Sequence, residues 1–446
     1  MTAMRVAFVR PNIGRLDSGR YVDEGRMEPL PLGLLAGVTP PDVEAVLYDD
    51  RMEKIPFDEP VDLVGVTVET FNARRAYQIA ASYRSRGVPV ILGGMHVALA
   101  PQEAAEHANS IFIGEAETLW PQVIEDARRH RLRPVYEAAT GVPQPGVLPR
   151  RDIFRGKGYL PVSLMQFGRG CNFSCAFCAV SAASARRYSR RAVAEVLREI
   201  EEQQRKRVFF VDDNIVCDRE AAKEFFQALI PLRIRWVSQA TIDMAQDAEL
   251  MELMARSGCL GNVVGFESID PENLRAMGKS PNLSDSFESY ALEIAVLRNH
   301  GLQTWASFTI GHDRDTPDSI ARLTEFAIES RFAFAAFNVL TPYPGTALYR
   351  RLAAESRLLY GGRWWLHPEY RFNHAAFRPR LMSAEELTEA GMRARARFNS
   401  AASILRRAFD LKTHLRSPFK LGLYLSYTPL FRRETFRKNG MLLGEE

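Results

Sequence analysis

Three of the five cysteines fall within eight residues, in the stretch Gly168-Arg169-Gly170-Cys171-Asn172-Phe173-Ser174-Cys175-Ala176-Phe177-Cys178. Three thiolates on one loop can bind a single soft metal centre. A structural zinc site usually adds a fourth Cys or His at matching spacing, and no second Cys-x-x-Cys or nearby His follows. A disulfide is disfavoured by the odd number and by the size of the chain. The stretch therefore predicts an iron–sulfur cluster with one iron left open for a further ligand.

The composition is that of a globular protein. The 446 residues are 46% hydrophobic and 25% charged, and this length predicts two or three domains. A formal net charge of +4 is too small to indicate nucleic acid as a partner. We find neither a signal-peptide pattern nor an apolar run long enough for a transmembrane helix. Free cysteines and an oxygen-sensitive cluster lead us to expect a cytoplasmic protein.

Residues 1–135 alternate between strand and helix patterns. Apolar, β-branched segments lie at 5–9, 43–48, 63–68, 88–92 and 110–113. This alternation predicts an α/β domain with a parallel, doubly wound sheet of Rossmann type. Such sheets bind ligands at the carboxyl ends of their strands. Polar and glycine residues cluster at those ends, at Thr67, Glu69, Thr70, Gly93, Gly94, Met95, His96, Gly114 and Glu115.

The sequence pattern then changes three times along the chain. Residues 136–160 are rich in proline and predict a linker between domains. Residues 161–350 show six further strand–helix units, with strand patterns at 164–167, 208–211, 235–241, 262–268, 304–311 and 336–340. Residues 351–446 read as mainly helical. Barrel enzymes place their chemistry at the carboxyl ends of the strands. The unusual residues at those ends are Asp212, Asp213, Asn214, Glu267, Gly311 and Pro342.

The Cys-x-x-x-Cys-x-x-Cys spacing, with Phe177 before the last cysteine, resembles the cluster loop of the radical S-adenosylmethionine (SAM) superfamily. The resemblance implies a partial (β/α)6 TIM-like barrel over residues 161–350. It implies that three catalytic cysteines hold a [4Fe–4S] cluster whose fourth iron is chelated by SAM, and that Phe177 lies near the adenine. Those three metal ligands are Cys171, Cys175 and Cys178.

The same resemblance assigns roles to the strand ends. It implies that the acidic motif formed by Asp212, Asp213 and Asn214 lies against the SAM amino group, a sensible partner for a carboxylate. It implies that Glu267 hydrogen-bonds the SAM ribose and that Pro342 opens a rim facing the substrate. Gly311 matches the glycine after the fifth strand, although the residues after it depart from the family pattern.

The N-terminal half resembles the cobalamin-binding domain of one subgroup of that superfamily. The matching residues are Pro31-Leu32-Gly33, the turn Gly93-Gly94-Met95-His96 and Gly114-Glu115-Ala116-Glu117. The cobalt-coordinating Asp-x-His-x-x-Gly signature is absent after the first strand, and we expect His96 to be a turn residue rather than a cobalt ligand. The alternative is a Rossmann-like domain without cofactor that serves as a wall for the substrate.

The subgroup contains cobalamin-dependent methyltransferases, hopanoid methylases and an anaerobic cyclase. The resemblance therefore implies a methyltransferase that acts on an unactivated carbon, or a phosphinate, of a small molecule or lipid. A flavodoxin or ferredoxin would supply the electron. The first alternative is a radical SAM enzyme that transfers no methyl group, such as a cyclase, with cobalamin altered or absent. The second is a sensor that binds the cofactors and leaves SAM intact.

Three features remain outside this interpretation. Residues Trp364, Trp365, His367 and Tyr370 predict a cap over the barrel mouth. Residues 393–438 carry 12 Lys or Arg against Asp410 and Glu434, which predicts either contact with an anionic membrane or substrate, or a solvated face packed on the barrel. Membrane contact would place the protein at the inner membrane face. The remaining cysteines, Cys217 and Cys259, are expected to be buried, with a role in the active site, as an acid or a radical relay, as the alternative for Cys217.

Overall fold

A computed structural model describes residues 4–14, 26–139, 143–283 and 290–444 of the chain. The strands are β1 Arg5–Arg10, β2 Glu44–Asp49, β3 Leu63–Thr67, β4 Val90–Gly93, β5 Ser110–Ile113, β6 Val135–Glu137, β7 Ser163–Met165, β8 Gly168–Gly170, β9 Tyr188–Arg190, β10 Arg207–Phe210, β11 Arg235–Ala240, β12 Cys259–Glu267, β13 Trp305–Ile310 and β14 Phe334–Val339. Within these ranges, no helix is both long enough and apolar enough to cross a membrane.

Helices separate most of the strands. They are α1 Leu30–Gly37, α2 Ala73–Arg84, α3 Met95–Leu99, α4 Pro101–Glu106, α5 Trp120–Arg128, α6 Ala179–Ala183, α7 Val193–Gln203, α8 Arg219–Leu229, α9 Ala248–Arg256, α10 Pro271–Ala276, α11 Ala291–Asn299, α12 Pro317–Glu329, α13 Ala347–Ala354, α14 Ala384–Phe398, α15 Ala401–Ala408 and α16 Pro418–Lys438. The predicted α/β fold is confirmed.

The first sheet has the strand order β2-β1-β3-β4-β5-β6, and every pairing is parallel. Apolar residues of β1 are buried on both faces, because helices cover both sides of such a sheet. Five of its strands match the sequence prediction. The sixth, β6 at Val135–Glu137, crosses the predicted boundary between the first domain and the linker and has one buried residue, Tyr136. So short a strand leaves no periodic pattern to detect.

The second sheet has the order β7-β10-β11-β12-β13-β14, again with parallel pairings throughout. All six of its strands fall where the sequence predicted them. Ala306, Phe308 and Ile310 of β13 are buried in the core formed with the surrounding helices. The alternate residues face the other way, as the two-residue period of a strand requires. We call this second surface, which includes Trp305 and Thr309, the inner face.

The C-terminal segment corrects one prediction. Trp364, Trp365 and Tyr370 do not form a cap, because all three are at most 2% exposed and belong to the hydrophobic core of the first sheet. Trp365 Nε1 donates to a carboxylate oxygen of Glu103 at 2.9 Å, and Trp364 Nε1 donates to the carbonyl oxygen of Pro342 at 2.9 Å. This segment therefore joins the first sheet to the end of β14.

Candidate active site

The cysteine loop leaves a short antiparallel hairpin formed by β8 and β9. Cys171, Cys175 and Cys178 are all half-buried and free of disulfides. The Cys178 amide donates to the Cys175 carbonyl oxygen at 3.1 Å, and Cys178 caps the start of α6. Burial raises the pKa of Cys175 to about 11, so a metal has to displace the thiol protons on binding.

The three thiols of the loop fit an iron–sulfur cluster, because a [4Fe–4S] cluster binds each thiolate to a different iron. Among the described residues, no group of three His, Cys, Asp or Glu side chains lies close enough together to hold a metal ion. Two further contacts fix the loop: Ala176 donates to the Met277 carbonyl oxygen at 2.9 Å and accepts from the Leu348 amide at 2.9 Å.

Two aspartates at the end of β10 hold the strand that leads into the loop. Asp212 is fully buried, and its carboxylate accepts from the amides of Phe167, at 3.1 Å, and Gly168. Burial raises the pKa of Asp212 to about 7. Asp213 accepts from the Gly170 amide at 2.9 Å. Both carboxylates therefore position the cysteine loop.

This geometry divides the predicted acidic motif. Asp212 is enclosed and uses both oxygens on backbone amides, so its structure argues for a supporting role rather than a SAM contact. Asn214 is buried as well, and its amide pairs with the backbone and hydroxyl of Thr241 at 3.3 Å. Asp213 is exposed, and it stays the predicted contact to the SAM amino group.

Glu267 ends β12 in a strained conformation. Its φ of 62° lies in the left-handed region, next to a register shift between β12 and β13. One carboxylate oxygen accepts from Lys279 Nζ at 3.0 Å, and the other accepts from the Thr309 hydroxyl at 2.6 Å. Such backbone strain concentrates at functional sites. The ribose contact of Glu267 stays a prediction. Lys279 is a further residue of this site, because its ammonium binds the Glu267 carboxylate.

The turn after β13 is held by Asp315. Its carboxylate accepts from the amides of Gly311, at 2.8 Å, and His312, at 2.9 Å. Gly311 has a φ of 102°, and a side chain there would meet Leu387 at 2.5 Å, so its glycine is needed for the turn. His312 is buried, and its Nε2 atom has no hydrogen-bond partner among the described residues. Any contact of Gly311 with a ligand would therefore be made by the backbone of this turn.

The edge of the first sheet carries the residues predicted for cobalamin. His96 is fully buried, with Nδ1 at 3.2 Å from the Thr70 hydroxyl and Nε2 at 3.1 Å from a Glu103 carboxylate oxygen. Both ring nitrogens are occupied, so His96 and Thr70 belong to the core, as expected for a turn residue. Glu69 is exposed and pairs with Arg10 at 2.8 Å.

The glycines of this edge differ in their surroundings. Gly94 and Gly114 have positive φ values, and an added Cβ would lie 2.8 Å from the Val68 carbonyl oxygen and 2.0 Å from that of Ala138, respectively. Their own backbone packing therefore requires glycine. Gly93 has looser surroundings. Thr67 is half-buried, and Met95 is 36% exposed, so these three stay available to a ligand.

The two edges face each other. Helix α3, which follows Gly94, packs against α6, which follows Cys178. The Arg169 guanidinium, just before the cysteine loop, binds the carboxylates of Glu115 and Glu117 from the first sheet. Glu115 thus joins the two halves of the protein in this structure, whereas the sequence suggested a cobalamin contact.

Sequence reasoning missed Arg169, Lys279 and Asp315. Arg169 lies between two glycines directly before Cys171, a position where a charged side chain could have drawn attention. Lys279 is separated from Glu267 by a helix, and its pairing depends on the tertiary fold. Cys217 also lies closer to the site than expected: its thiol hydrogen-bonds Asn172 Oδ1 at 2.6 Å, and its contact with Cys171 raises the pKa of Cys171.

Known proteins resemble the chain over most of its length. A family model described as the radical SAM superfamily matches residues 165–327. Bacteriochlorophyllide d C-12(1)-methyltransferase of Chlorobaculum tepidum is 28% identical, and the match covers 86% of each chain. The C-8(2)-methyltransferase of that organism is 30% identical over 73% of this chain and 77% of its own.

A solved structure shows the same fold. It is the radical SAM methyltransferase TsrM from Kitasatospora setae, with cobalamin and a [4Fe–4S] cluster bound. The TM-score is 0.61 at 18% sequence identity, and the alignment covers 80% of this chain and 78% of that one.

Proposed function

Because the chain belongs to the radical SAM superfamily, we propose that it is a cobalamin-dependent radical SAM methyltransferase. The observation that carries the proposal is the meeting of two strand-end edges, where α6 of the cysteine loop packs against α3 of the first sheet. A cluster at one edge and a cobalamin at the other would share one space. We assign residues 1–135 to the cobalamin-binding domain, 136–160 to the linker, 161–350 to a partial (β/α)6 barrel and 351–446 to the C-terminal region.

In this proposal, Cys171, Cys175 and Cys178 hold the [4Fe–4S] cluster. When bound, the cluster with SAM supplies a radical that removes hydrogen from the acceptor, and cobalamin supplies the methyl group. The chain's own task is to place these groups and to exclude water and oxygen. Asp212 holds the cysteine loop, Asp213 offers a carboxylate to the SAM amino group, and Phe177 within the loop would lie near the adenine.

The SAM site extends along the strand ends. Lys279 and Thr309 each bind one carboxylate oxygen of Glu267. The remaining lone pairs of these two oxygens would accept hydrogen bonds from the ribose. Gly311 begins the turn after β13, and Asp315 holds its amide. The rim from Pro342 to Thr346 ends at the hydroxyl cap of α13, and α13 itself contacts the loop through Leu348 and Ala176.

The cobalamin site would be formed by the open positions of the first edge. Thr67, Gly93 and Met95 are the predicted residues that remain accessible, while Gly94 and Gly114 shape the backbone around them. Neither nitrogen of His96 is free. We therefore propose that cobalt receives no nitrogen ligand from His96.

The acceptor in this proposal is an unactivated carbon. The two similar Chlorobaculum proteins are named for methylation of a bacteriochlorophyllide, and this supports a small-molecule or lipid acceptor here. The electron would come from an external donor such as flavodoxin or ferredoxin.

Cobalt content tests the proposal. Protein purified without oxygen, after expression with cobalamin, is expected to contain about one cobalt beside the broad iron–sulfur absorbance. The measurement is metal analysis together with the ultraviolet–visible spectrum, and the variant Met95→Trp should lower cobalt without lowering iron. Iron without cobalt after full reconstitution would reject the methyltransferase and favour a radical SAM enzyme that transfers no methyl group.

We also propose that the C-terminal region touches an anionic membrane. Three strongly exposed apolar side chains lie around the end of α15, Leu405 at 61%, Phe409 at 72% and Leu411 at 80% exposure. Arg406 and Lys412 lie between or beside them in the sequence. Apolar residues mixed with basic ones are typical of surfaces that bind anionic bilayers.

A paired substitution tests this membrane contact. The double substitution Phe409→Ser with Leu411→Ser removes two apolar side chains that would enter the bilayer. It should reduce binding to phosphatidylserine-containing liposomes by roughly tenfold or more. Leu381→Ser, at a side chain 56% exposed elsewhere, is the control and should bind as the unaltered protein does. Equal sedimentation of all three proteins with liposomes would show that this patch has no membrane role.

A further inference from the structure

Cys217 lies beside the cysteine loop, although it is not one of the three cluster ligands. We propose that the Cys217 thiol donates a hydrogen bond to the sulfur of Cys171 when the cluster is bound, and that this bond makes the cluster easier to reduce. The proposal rests on the cluster assigned in the proposed function and adds a residue that sets its reduction potential. Cys217 acts through Cys171 rather than on the acceptor itself.

The segment after β10 holds both sides of Cys171. Before this cysteine, the Gly170 amide donates to the Asp213 carboxylate at 2.9 Å. After it, the Asn172 side-chain oxygen accepts from the Cys217 thiol at 2.6 Å. Cys171 therefore lies between two contacts made by one short segment, and this places the Cys217 thiol close to it.

The two thiols also contact each other directly. A hydrogen bond with Cys217 is the largest influence on the pKa of Cys171, which it raises, and the same bond lowers the pKa of Cys217. In this structure the Cys171 thiol is therefore the donor and the Cys217 sulfur the acceptor, while the Cys217 proton goes to Asn172. The three groups form a hydrogen-bonded chain from Cys171 through Cys217 to Asn172.

The turn that carries Cys217 is firmly held. The Cys217 amide donates to the Asn214 carbonyl oxygen at 3.1 Å, and Asn214 is itself buried. Ile215 and Val216, directly before the cysteine, belong to the hydrophobic core. Asp218, directly after it, caps the start of α8. A thiol positioned in this way keeps its distance from the loop, as a group that tunes a metal centre must.

Cluster binding reverses the direction of this chain. Cys171 loses its proton when it binds iron, and a thiolate can only accept a hydrogen bond. The S–H group of Cys217 is then a donor beside it, and its proton turns from Asn172 to the Cys171 sulfur. Asn172 is exposed, so its side chain can rotate and offer an amide N–H group to the Cys217 sulfur instead.

A hydrogen bond at this position changes the reduction potential. A [4Fe–4S] cluster becomes more negative when it takes up one electron from the external donor, and hydrogen bonds to its sulfur atoms stabilise the added charge. The reduced form gains more from the bond than the oxidised form does, so the potential rises. Protein with a reduced cluster is the form that can cleave SAM, and Cys217 therefore raises the fraction of enzyme that is able to react.

Redox titration of the cluster tests the proposal. The full-length chain is reconstituted with iron and sulfide without oxygen and poised at a series of potentials, and its electron paramagnetic resonance signal gives the reduced fraction. Cobalamin is left out, because cobalt(II) has a signal of its own. At a fixed potential, Cys217→Ala should lower the ratio of reduced to oxidised cluster roughly tenfold, which equals about 59 mV for one electron. Cys217→Ser keeps a donor at this position and should restore most of the ratio.

Iron content and a second cysteine serve as controls. The Cys217 variants should retain the iron of the unaltered protein, because Cys217 is not a ligand. Cys259→Ala makes the same change at a buried thiol that begins β12, at the opposite end of the strand from Glu267, and should leave the potential unchanged.

Three results would overturn the proposal: an unchanged potential in Cys217→Ala, an equal shift in Cys217→Ala and Cys217→Ser, or a loss of iron in Cys217→Ala. The second result would show that the lost volume acts rather than the donor, and the third that the residue holds the cluster itself. Absence of cobalt after loading would instead contradict the proposed function, and it would leave these potentials as they are.

Discussion

Protein carrying Cys175→Ala is expected to hold no [4Fe–4S] cluster and to cleave no SAM. Three thiolates bind three of the four irons and leave the fourth iron for SAM. The loop offers no replacement for Cys175, because Cys171 and Cys178 each bind another iron in this assignment. Cluster loss also removes the electron path to SAM. Iron and sulfide content, with 5′-deoxyadenosine formation under reductant, measure both effects. The expected loss is complete within the detection limit.

Cys259→Ala is the matched control for this change. Cys259 is 5% exposed, and its thiol contacts Asn262 Oδ1 at 3.4 Å, away from the cysteine loop. The same chemical change there should keep the cluster and SAM cleavage, with a modest loss of stability from the buried cavity. SAM cleavage that persists in Cys175→Ala would falsify the assignment of the cluster ligands.

The second large effect is expected at the buried pair of Lys279 and Glu267. Burial opposes a charge on Lys279, but the Glu267 carboxylate raises the pKa of Lys279, so the ammonium stays charged. Lys279→Met leaves the carboxylate buried and without its cation, a loss of about 3–5 kcal/mol in unfolding free energy. Lys279 also holds the Glu267 carboxylate that we propose as the ribose contact, so SAM affinity should fall as well.

Denaturant unfolding and equilibrium binding of SAM measure these two losses separately. The double variant Lys279→Met with Glu267→Gln removes both charges and should regain much of the stability, because no buried charge remains unpaired. It should not regain SAM affinity, because the ribose contact proposed for Glu267 is gone. If Lys279→Met alone unfolds like the unaltered protein, the pair does not stabilise the fold.

The positions of most strands along the chain could be read from the sequence. Eleven predicted strand segments all correspond to strands of the two sheets, since buried parallel strands form short apolar, β-branched runs between helices. The three cysteines were predicted as cluster ligands from their spacing together with the order of the motifs downstream, because a cluster loop is a local feature. The carboxyl ends of the strands in both sheets were located for the same reason, because the polar residues that follow a strand are adjacent to it in the sequence.

Side-chain partners were decided by the tertiary structure. Asp212 and Asp213 are neighbours in the sequence, yet one is enclosed by backbone amides and the other is exposed. His96 carries a chemistry suited to a metal, and its burial beside Glu103 removes it from that role. The segment around Trp364 gave an aromatic pattern that fits a cap as well as a core, and only packing distinguishes the two.

The local chemistry of this protein follows from its sequence: three thiols on one loop, the succession of strands along the chain and the residues at their ends. Pairing across long separations in the chain depends on the tertiary fold. Arg169 meets Glu115 and Glu117 from the other sheet, and Phe431 meets Trp305 on the inner face. The physical reason is that such contacts depend on how elements pack, and periodicity along the chain records only that a residue is buried, not what it touches.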